Sequence, residues 1–502
     1  MIFKSVSYLQ DKTERNFFIE KVKIYIRLVE VFCELNNYTM TSQFTDADIV
    51  QELKDIGVIK ENSDLLELKK LIKEDYKKFT DAVKFVVEHK EAVGDILDNL
   101  YNSKRLEKQR NIDKSKPTLV DFFCGAGGLS LGFIQNGFRV VLANDIEDVC
   151  IETYRYNHPE LPSHKVVKGD IKDIVDNVGD YLDEEVDIVV GGPPCQGFSE
   201  ANRQRVIDDP RNHLYKYFVK AVENIVPKFV VMENVKGMLK VADQVVEDYQ
   251  ALKIHKNNEV YSYSVAYRLL NSVNFSVAQS RERLIYIAVR NDVAAQHNIT
   301  PEDIFKNIEK DYKKNGTFNL EDALKDIKSL EAPRVKNTNE IDDDVTGKKI
   351  DANINYNHRN KYLNLINQGR EIKYLFNHKA RYCSDVNYEI YKRLNPGDDA
   401  TDEKIVDIMP YAHRNHCFKD KYFKLIPDRP CRTITAHLRM DCHSHIHPYQ
   451  IRSLTPREAA RVQSFPDDYL FMGAYLKTYM QIGNAVPTLM ARGIADKIKR
   501  YL

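Results

Sequence analysis

The chain has no excess of charge of either sign, with 74 Lys and Arg against 74 Asp and Glu. Global charge therefore cannot hold a polyanion, and any nucleic-acid contact has to come from a local basic cleft. Long apolar runs are missing too. None approaches the ~18 residues of a membrane span. The start, Met1-Ile2-Phe3-Lys4 followed by Asp11, Lys12, Glu14 and Arg15, has no apolar stretch of secretory-signal length. The eight cysteines, at 33, 124, 150, 195, 383, 417, 431 and 442, form no C-x-x-C pair. In 502 residues that argues against a disulfide framework and for a reducing, cytoplasmic setting. No internal repeat is found. What remains is an ordinary globular composition, 43% hydrophobic and 29% charged, long enough for roughly two to four domains.

Residues 1 to about 102 read as helical: Phe17, Phe18, Val22, Ile26, Val29 and Phe32 recur near helical spacing, and a second amphipathic stretch covers about 65–100. Neither carries a chemical motif. Residues 103–116 read as a polar linker or an exposed helix end. From Pro117 the pattern changes. Strand-like runs at 118–123, 138–143, 187–190 and 229–232 alternate with helical segments, which predicts a parallel, doubly wound sheet, and two more runs follow at 263–270 and 284–289. Periodicity then fades from about 292 to 428, a polar stretch with Asp342-Asp343-Asp344 in a loop; an insertion of that length is usually functional.

Two strand ends carry the chemistry. The first strand leads into Cys124-Gly125-Ala126-Gly127-Gly128, where glycine lets a ligand approach the backbone. Asp145 ends the next strand, 24 residues after Asp121, where a ribose-binding carboxylate is expected. The full G-x-G-x-x-G of a dinucleotide site is absent, as suits a ligand without phosphate; a tight turn with no ligand would use the same glycines. The fourth strand runs into Gly191-Gly192-Pro193-Pro194-Cys195-Gln196-Gly197-Phe198-Ser199. The two prolines stiffen a loop at the carboxyl end of a strand and hold one thiol there. A thiol with a pKa near ~8.5 is a few per cent thiolate at neutral pH. Amino-group methyltransferases carry Asp or Asn, then Pro-Pro, then an aromatic residue. Here Gly192 replaces the acid or amide and Cys195 the aromatic, which favours chemistry at a ring carbon over chemistry at an amine. Carbon 5 of cytosine becomes reactive once a soft nucleophile adds to carbon 6 and a proton reaches ring nitrogen 3. Glu233-Asn234-Val235, 38 residues after Cys195 and at the next strand end, offers the carboxyl.

These stretches resemble the DNA cytosine-5 methyltransferase family of prokaryotic type, here with an N-terminal extension. Asp121-Phe122-Phe123-Cys124-Gly125-Ala126-Gly127-Gly128 is similar to its first motif and Gly192 to Ser199 to its nucleophile motif. Glu233-Asn234-Val235, Gln279-Ser280-Arg281-Glu282-Arg283, Arg429-Pro430-Cys431-Arg432-Thr433-Ile434-Thr435 and Gly483-Asn484-Ala485-Val486-Pro487 resemble four more in the family's order. The resemblance covers about residues 117–502. It implies an α/β, Rossmann-like domain dependent on S-adenosylmethionine (116–291, completed by 474–502). It also implies an inserted smaller domain (292–473) holding the target-recognition region (about 292–428), beside a mainly helical accessory region (1–115).

Roles follow for matching positions. Phe123 would stack near the adenine of S-adenosylmethionine, the backbone of Gly125, Ala126, Gly127 and Gly128 would hold its methionine part, and Asp145, where many relatives have Glu, would bind the ribose with Ile146 beside it. Asp170 and Ile171 would bound the adenine; Leu214, Asn484 and Ala485 match further cofactor contacts. Cys195 would be the nucleophile, Glu233 the acid at nitrogen 3, and Arg281 and Arg283 would steady the base oxygen and the active-site loop. The target cytosine would flip out of double-stranded DNA, at about a few kcal/mol, with the loop 200–211 and its Arg203, Arg205 and Arg211 placed to close on it. The expected setting is the nucleoid, in restriction-modification or phage defence, with cognate restriction or defence proteins as partners. Two rival readings are methylation of transfer RNA, whose branch has a short recognition segment, and a catalytically silent DNA-binding regulator, against which Cys195, Glu233 and Arg281 stand. The histidines and cysteines from His413 to His447, including His416, Cys417, Cys431, His437, Cys442, His443 and His445, match no regular zinc module, and no metal is expected.

The motifs serve chemistry common to the family, so sequence reading is expected in about 292–428, with Lys373, Arg381 and Arg414 as candidate contacts. Exchanging that segment for a relative's should move the methylated sequence while keeping cytosine chemistry, as read by bisulfite sequencing; an active chimera that keeps the original site would place recognition elsewhere.

Overall fold

The computed structural model describes residues 3–40, 48–89, 92–93, 102–194, 214–410 and 421–502. Its strands are β1 (Thr118–Phe122), β2 (Arg139–Asp145), β3 (Val166–Lys168), β4 (Ile188–Gly191), β5 (Phe229–Asn234), the hairpin β6 (Ile254–Lys256) and β7 (Glu259–Tyr261), β8 (Tyr263–Asn271), β9 (Glu282–Arg290), β10 (Gly347–Ala352) and β11 (Tyr374–Lys379). Seven of them form one sheet in the order β3-β2-β1-β4-β5-β9-β8. The first five are parallel, while β9 runs against both β5 and β8. Near-continuous apolar runs such as Phe229-Val230-Val231-Met232 suit a sheet buried on both faces. Their side chains alternate between two cores. Leu119, Ile188, Phe229 and Val231 pack with Phe133, Met490 and Ile494. Val120, Val189, Val230 and Met232 pack with Phe218, Val222 and Val245.

Close packing places the helix after the glycine loop. A Cβ at Gly132 would lie 2.5 Å from the Ala491 Cβ, and one at Gly128 would lie 2.6 Å from the Val486 oxygen. The helices Gly128–Ile134 and Thr488–Ile498 thus meet without intervening side chains, and the C-terminal segment completes the sheet's cover. The helix Pro301–Lys310, started by the Thr300/Asp303 capping box, also belongs to this body: Ile304, Phe305 and Ile308 join the core beneath β8 and β9.

The N-terminal helices α1 (Lys12–Asn36), α2 (Val50–Asp55), α3 (Asp64–Ile72) and α4 (Asp75–Glu88) share a core in which Phe3, Phe18, Tyr25 and Phe79 meet edge to face. That core does not close on itself. Tyr156, Ile350, Tyr374, Phe376, Leu470 and Met472, from the rest of the chain, are part of the same cluster. The helix Asn102–Arg110, in the stretch read as a linker, ties on through Arg105, which donates to the Arg155 carbonyl, and Gln109, which donates to that of Pro159. Among the described residues no helix is long and apolar enough to cross a membrane.

An N-terminal region without chemistry predicts that a chain starting near Ser115 keeps some methylation activity if it folds, and the shared core bears on that condition. Truncation uncovers six buried side chains, each worth about 1.5–3 kcal/mol of burial, against a total margin of about 5–15 kcal/mol for an ordinary domain. The truncated chain should melt well below the full chain, or aggregate; a thermal melt equal to the full chain's would show that this packing contributes nothing.

Candidate active site

The carboxyl ends of β1, β2, β4 and β5 lie side by side, and each presents one part of the site. After β1 the backbone turns through Phe123, Gly125 and Gly127 at positive φ (54°, 53° and 81°), a conformation that glycine adopts without strain. A Cβ at Gly127 would meet the Tyr469 hydroxyl at 2.9 Å and the Tyr154 ring at 3.1 Å, whereas one at Gly125 would meet nothing within 4 Å. The loop is therefore packed on its Gly127 side and open at Gly125. Tyr469 donates to the Ala126 oxygen at 2.5 Å and fixes the packed side.

Asp145 closes this loop. Its Oδ2 accepts from the Gly125 N–H at 2.8 Å and its Oδ1 from the Glu147 N–H at 2.8 Å, so both oxygens hold backbone. Ile146, beside it, is 61% exposed, and Asn484 is exposed at the end of the helix Tyr475–Asn484. Phe123 is half-buried. Asp170 caps the helix Ile171–Ile174 by accepting from the Lys172 N–H, with Ile171 buried beneath it. Leu214, half-buried, opens the helix Leu214–Ile225, and Ala485 is buried behind Asn484.

The second half of the site is the junction of β4 and β5. The Asn234 side chain donates to the Pro193 carbonyl at 3.0 Å and accepts from the Val235 N–H at 2.9 Å, tying the Pro-Pro loop to the end of β5. Glu233, 8% exposed, is held by Arg283, whose Nε lies 2.7 Å from Oε1. Its other oxygen, Oε2, points at Gly192, where a Cβ would stand only 2.9 Å away. Burial lowers the pKa of Arg283, and Glu233 opposes that shift. Cys195 lies outside the described residues, as do Arg203, Arg205 and Arg211. Its loop is followed as far as Pro194, on the same edge as Glu233.

Arg281 is 1% exposed and serves backbone: its Nη1 donates to Ile434 O at 2.6 Å and its Nη2 to Gly483 O at 3.0 Å. Gln279 reinforces the same junction, accepting from the Ile434 N–H at 2.7 Å and donating to the Gln463 side chain at 2.8 Å. Three motifs far apart in the chain thus meet at one guanidinium and one amide. Arg381, a candidate for base contact, is committed elsewhere, donating to the carbonyls of Leu438, Arg439 and Met440. Lys373 is exposed; Arg414, His413, His416 and Cys417 lie outside the described residues. His443 bonds the Tyr391 hydroxyl, and His447 Nδ1 accepts from the Tyr449 and Gln450 N–H groups. Among the described residues no three His, Cys, Asp or Glu side chains gather as metal ligands.

Sequence reading passed over two features. Asn234 was visible only as part of a motif, with no sign of its reach across to Pro193. The Thr455-Pro456-Arg457-Glu458 capping box, legible in principle, starts a helix buried along its whole length.

Sheet order, a glycine loop after β1 and a Pro-Pro loop facing a buried acid define an α/β methyltransferase. The chain belongs to the C-5 cytosine-specific DNA methylase family, whose model matches residues 117–500. It is 32% identical over 403 residues to the type II methyltransferase M.DdeI of Desulfomicrobium norvegicum, covering 76% of this chain and 88% of the relative. It is 31% identical over 390 residues to the type II methyltransferase M.FnuDI of Fusobacterium nucleatum, covering 76% and 94%. In fold it is similar, with a TM-score of 0.53 and 23% identity, to a crystal structure described as a prophage-encoded DNA modification methyltransferase from E. coli; the match covers 77% of this chain and 99% of that one. The protein is a DNA cytosine-5-methyltransferase, and its family implies a methyl donor and a DNA substrate. The N-terminal helices lie outside the family match.

Asp121, at the end of β1, is 1% exposed and neither of its oxygens has a hydrogen bond of ordinary geometry among the described residues. Burial pushes its carboxyl up to about 8, against the Ser130 hydroxyl and with help from Asp145. The folded state then holds a proton that the unfolded chain releases near pH 4, so stability falls as pH rises from about 4 to about 8, by at most about 1.4 kcal/mol per pH unit. Asp121→Asn removes that slope. Its melting temperature should fall less than the wild type's between pH 5 and 8; parallel curves would mean that Asp121 is ionised throughout.

Proposed function

We propose that this enzyme methylates carbon 5 of cytosine at a specific site in duplex DNA, by covalent catalysis through Cys195 on a flipped base, with S-adenosylmethionine as donor. The role proposed is modification in a restriction-modification or phage-defence system, with a cognate restriction or defence protein as partner. The observation that carries the mechanism is the posture of Glu233: Arg283 fixes one oxygen and the other faces Gly192, three residues before Cys195.

The residues present fit the donor. Gly125 leaves open space where a Cβ would stand, and Ile146 and Asn484 are exposed, so neither backbone nor side chain there is closed to a ligand. Phe123, the backbone of Gly125 to Gly128, Asp145, Asp170, Ile171, Leu214 and Ala485 would complete the donor cradle. When bound, S-adenosylmethionine supplies an electrophilic methyl group on a sulfonium.

Cytosine carbon 5 gains nucleophilicity when the Cys195 thiolate forms a bond to carbon 6 and Glu233 places a proton at nitrogen 3. Once carbon 5 carries the methyl group, the hydrogen it bore leaves as a proton to solvent, the sulfur–carbon bond breaks to release the Cys195 thiolate, and the nitrogen-3 proton returns to Glu233, which restores the neutral aromatic ring. The Asn234–Pro193 bond keeps the Pro-Pro loop in register with Glu233 during these steps, and Arg283 keeps the carboxyl from turning away.

Duplex DNA with 5-fluorocytosine at the target tests this, because fluorine at carbon 5 cannot leave as a proton. With the methyl donor present, a covalent complex should form and survive denaturing electrophoresis, and Cys195→Ala should abolish it. Glu233→Gln should slow single-turnover methylation by roughly 10²–10⁴-fold with DNA binding intact. An adduct formed by Cys195→Ala would overturn the proposed nucleophile.

A further inference from the structure

The N-terminal helix α1 touches the recognition segment and the catalytic body at once. Glu20 Oε1 accepts from the Gly473 N–H at 2.8 Å and pairs with Lys349 of β10. One residue on, Lys21 pairs with Glu152 of the catalytic helix Asp148–Asn157 at 2.5 Å, both side chains 15% exposed. Two turns further, Arg27 donates to the Ile350 carbonyl of β10 at 3.0 Å. Beneath these contacts Ile350, Tyr374 and Phe376 of the β10–β11 hairpin are buried in the α1–α4 core. A face of α1 therefore anchors the hairpin to the body.

What the hairpin positions is also on view. Two residues beyond β11, Arg381 gathers three consecutive carbonyls: Leu438 at 2.8 Å, Arg439 at 3.2 Å and Met440 at 2.6 Å. These belong to a lip whose start is held by Arg281 through Ile434 O. Gly483, next to Asn484, packs so closely under Thr435 and Ala436 that a Cβ there would lie 2.2 Å from their backbone. On the lip Thr435, His437, Arg439 and Met440 are exposed, Met440 by 60%. It is thus tied to the junction at Arg281 and to the end of the Tyr475–Asn484 helix, with Leu438 buried as its anchor and those four side chains at the surface.

We propose that Glu20 and Arg27 of α1 are positioning residues for DNA engagement: they hold the β10–β11 hairpin in the place from which Arg381 fixes the lip Thr435–Met440 beside the base pocket. The inference rests on the reading that residues 292–428 engage DNA. It assigns the helices outside the family match a part in substrate binding, with no contact to the reacting atoms. Apolar packing seats the hairpin and the polar contacts of Glu20 and Arg27 set its register on α1, so that register can be loosened without uncovering the apolar core of Phe18, Val22 and Val29.

The experiment is a double-mutant cycle in the full chain, with steady-state methylation of duplex DNA at saturating methyl donor. Melting temperature and binding of S-adenosylhomocysteine by calorimetry report the fold and the donor cradle. Glu20→Gln/Arg27→Ala should raise KM for DNA about tenfold, within the range of coupling energies for residues in one network, with kcat within twofold and S-adenosylhomocysteine binding unchanged. Arg381→Ala should do the same. Combining them should be no worse than Arg381→Ala alone, because both act on the lip. Additive effects, or an unchanged KM in the α1 variant beside a raised one in Arg381→Ala, would overturn the inference while leaving the recognition reading in place. An unchanged KM in Arg381→Ala would overturn the inference as well, because the lip would then not depend on Arg381, and it too would leave the recognition reading in place.

Discussion

A single guanidinium holds the pieces of this site together. Arg281 carries its charge to a place with 1% exposure, and among the described residues its hydrogen bonds go to backbone carbonyls rather than to a carboxylate. Burial drives its pKa well below the ordinary arginine value, with Arg283 adding to the shift. Desolvating such a group costs several kcal/mol, and the hydrogen bonds to Ile434 O and Gly483 O offset part of it. Those two carbonyls lie on segments that neither adjoin in sequence nor pair in a ladder. Arg281 thus ties both the start of the lip at Ile434 and the end of the helix at Asn484 to the foot of β9, with Gln279 holding the same junction from beside it.

The same device recurs behind the site. Arg452, Arg457 and Arg461 are all fully buried. Arg452 makes a two-pronged pair with Glu458, and Arg461 makes one with Asp467. Arg457 serves the carbonyls of Phe376, Pro466 and Tyr469. Breaking one partner of such a pair leaves a buried charge, at about 3–5 kcal/mol. A core of this kind is specific before it is stable: Arg457 ties the hairpin strand β11 to the segment that carries Tyr469, over the glycine loop, and the two ion pairs fix the helix Pro456–Val462 between them.

That chemistry also explains what could be read from the chain. The sheet was legible because its strands are apolar runs. The expected 118–123, 187–190 and 284–289 meet Thr118–Phe122, Ile188–Gly191 and Glu282–Arg290. The stretch 292–428 lost its pattern because its elements are short and polar groups share their burial, as with His378, Lys379 and Asn377 in β11. The helix Pro301–Lys310 was passed over there, although its Thr300 cap and the spacing of Ile304, Phe305 and Ile308 mark it. Within the site, motif order located Glu233 and Arg283, but it could not tell that Arg281 holds backbone, that Asp145 ties one oxygen to the Gly125 N–H, or that Arg381 grips the lip. Those are contacts across 20 to more than 150 residues of chain, and no local pattern encodes them.

The closeness of Glu233 to Gly192 also constrains how this enzyme can change over generations. Amine methylation needs an amide or acid at position 192, and the volume that side chain would occupy is already filled by the Glu233 carboxyl, 2.9 Å from where a Cβ would begin. A lineage drifting toward the other chemistry would have to vacate 233 before it could fill 192, and would still have to exchange Cys195 for an aromatic residue. The two side chains compete for one volume, so substitutions at this edge are coupled and their order matters.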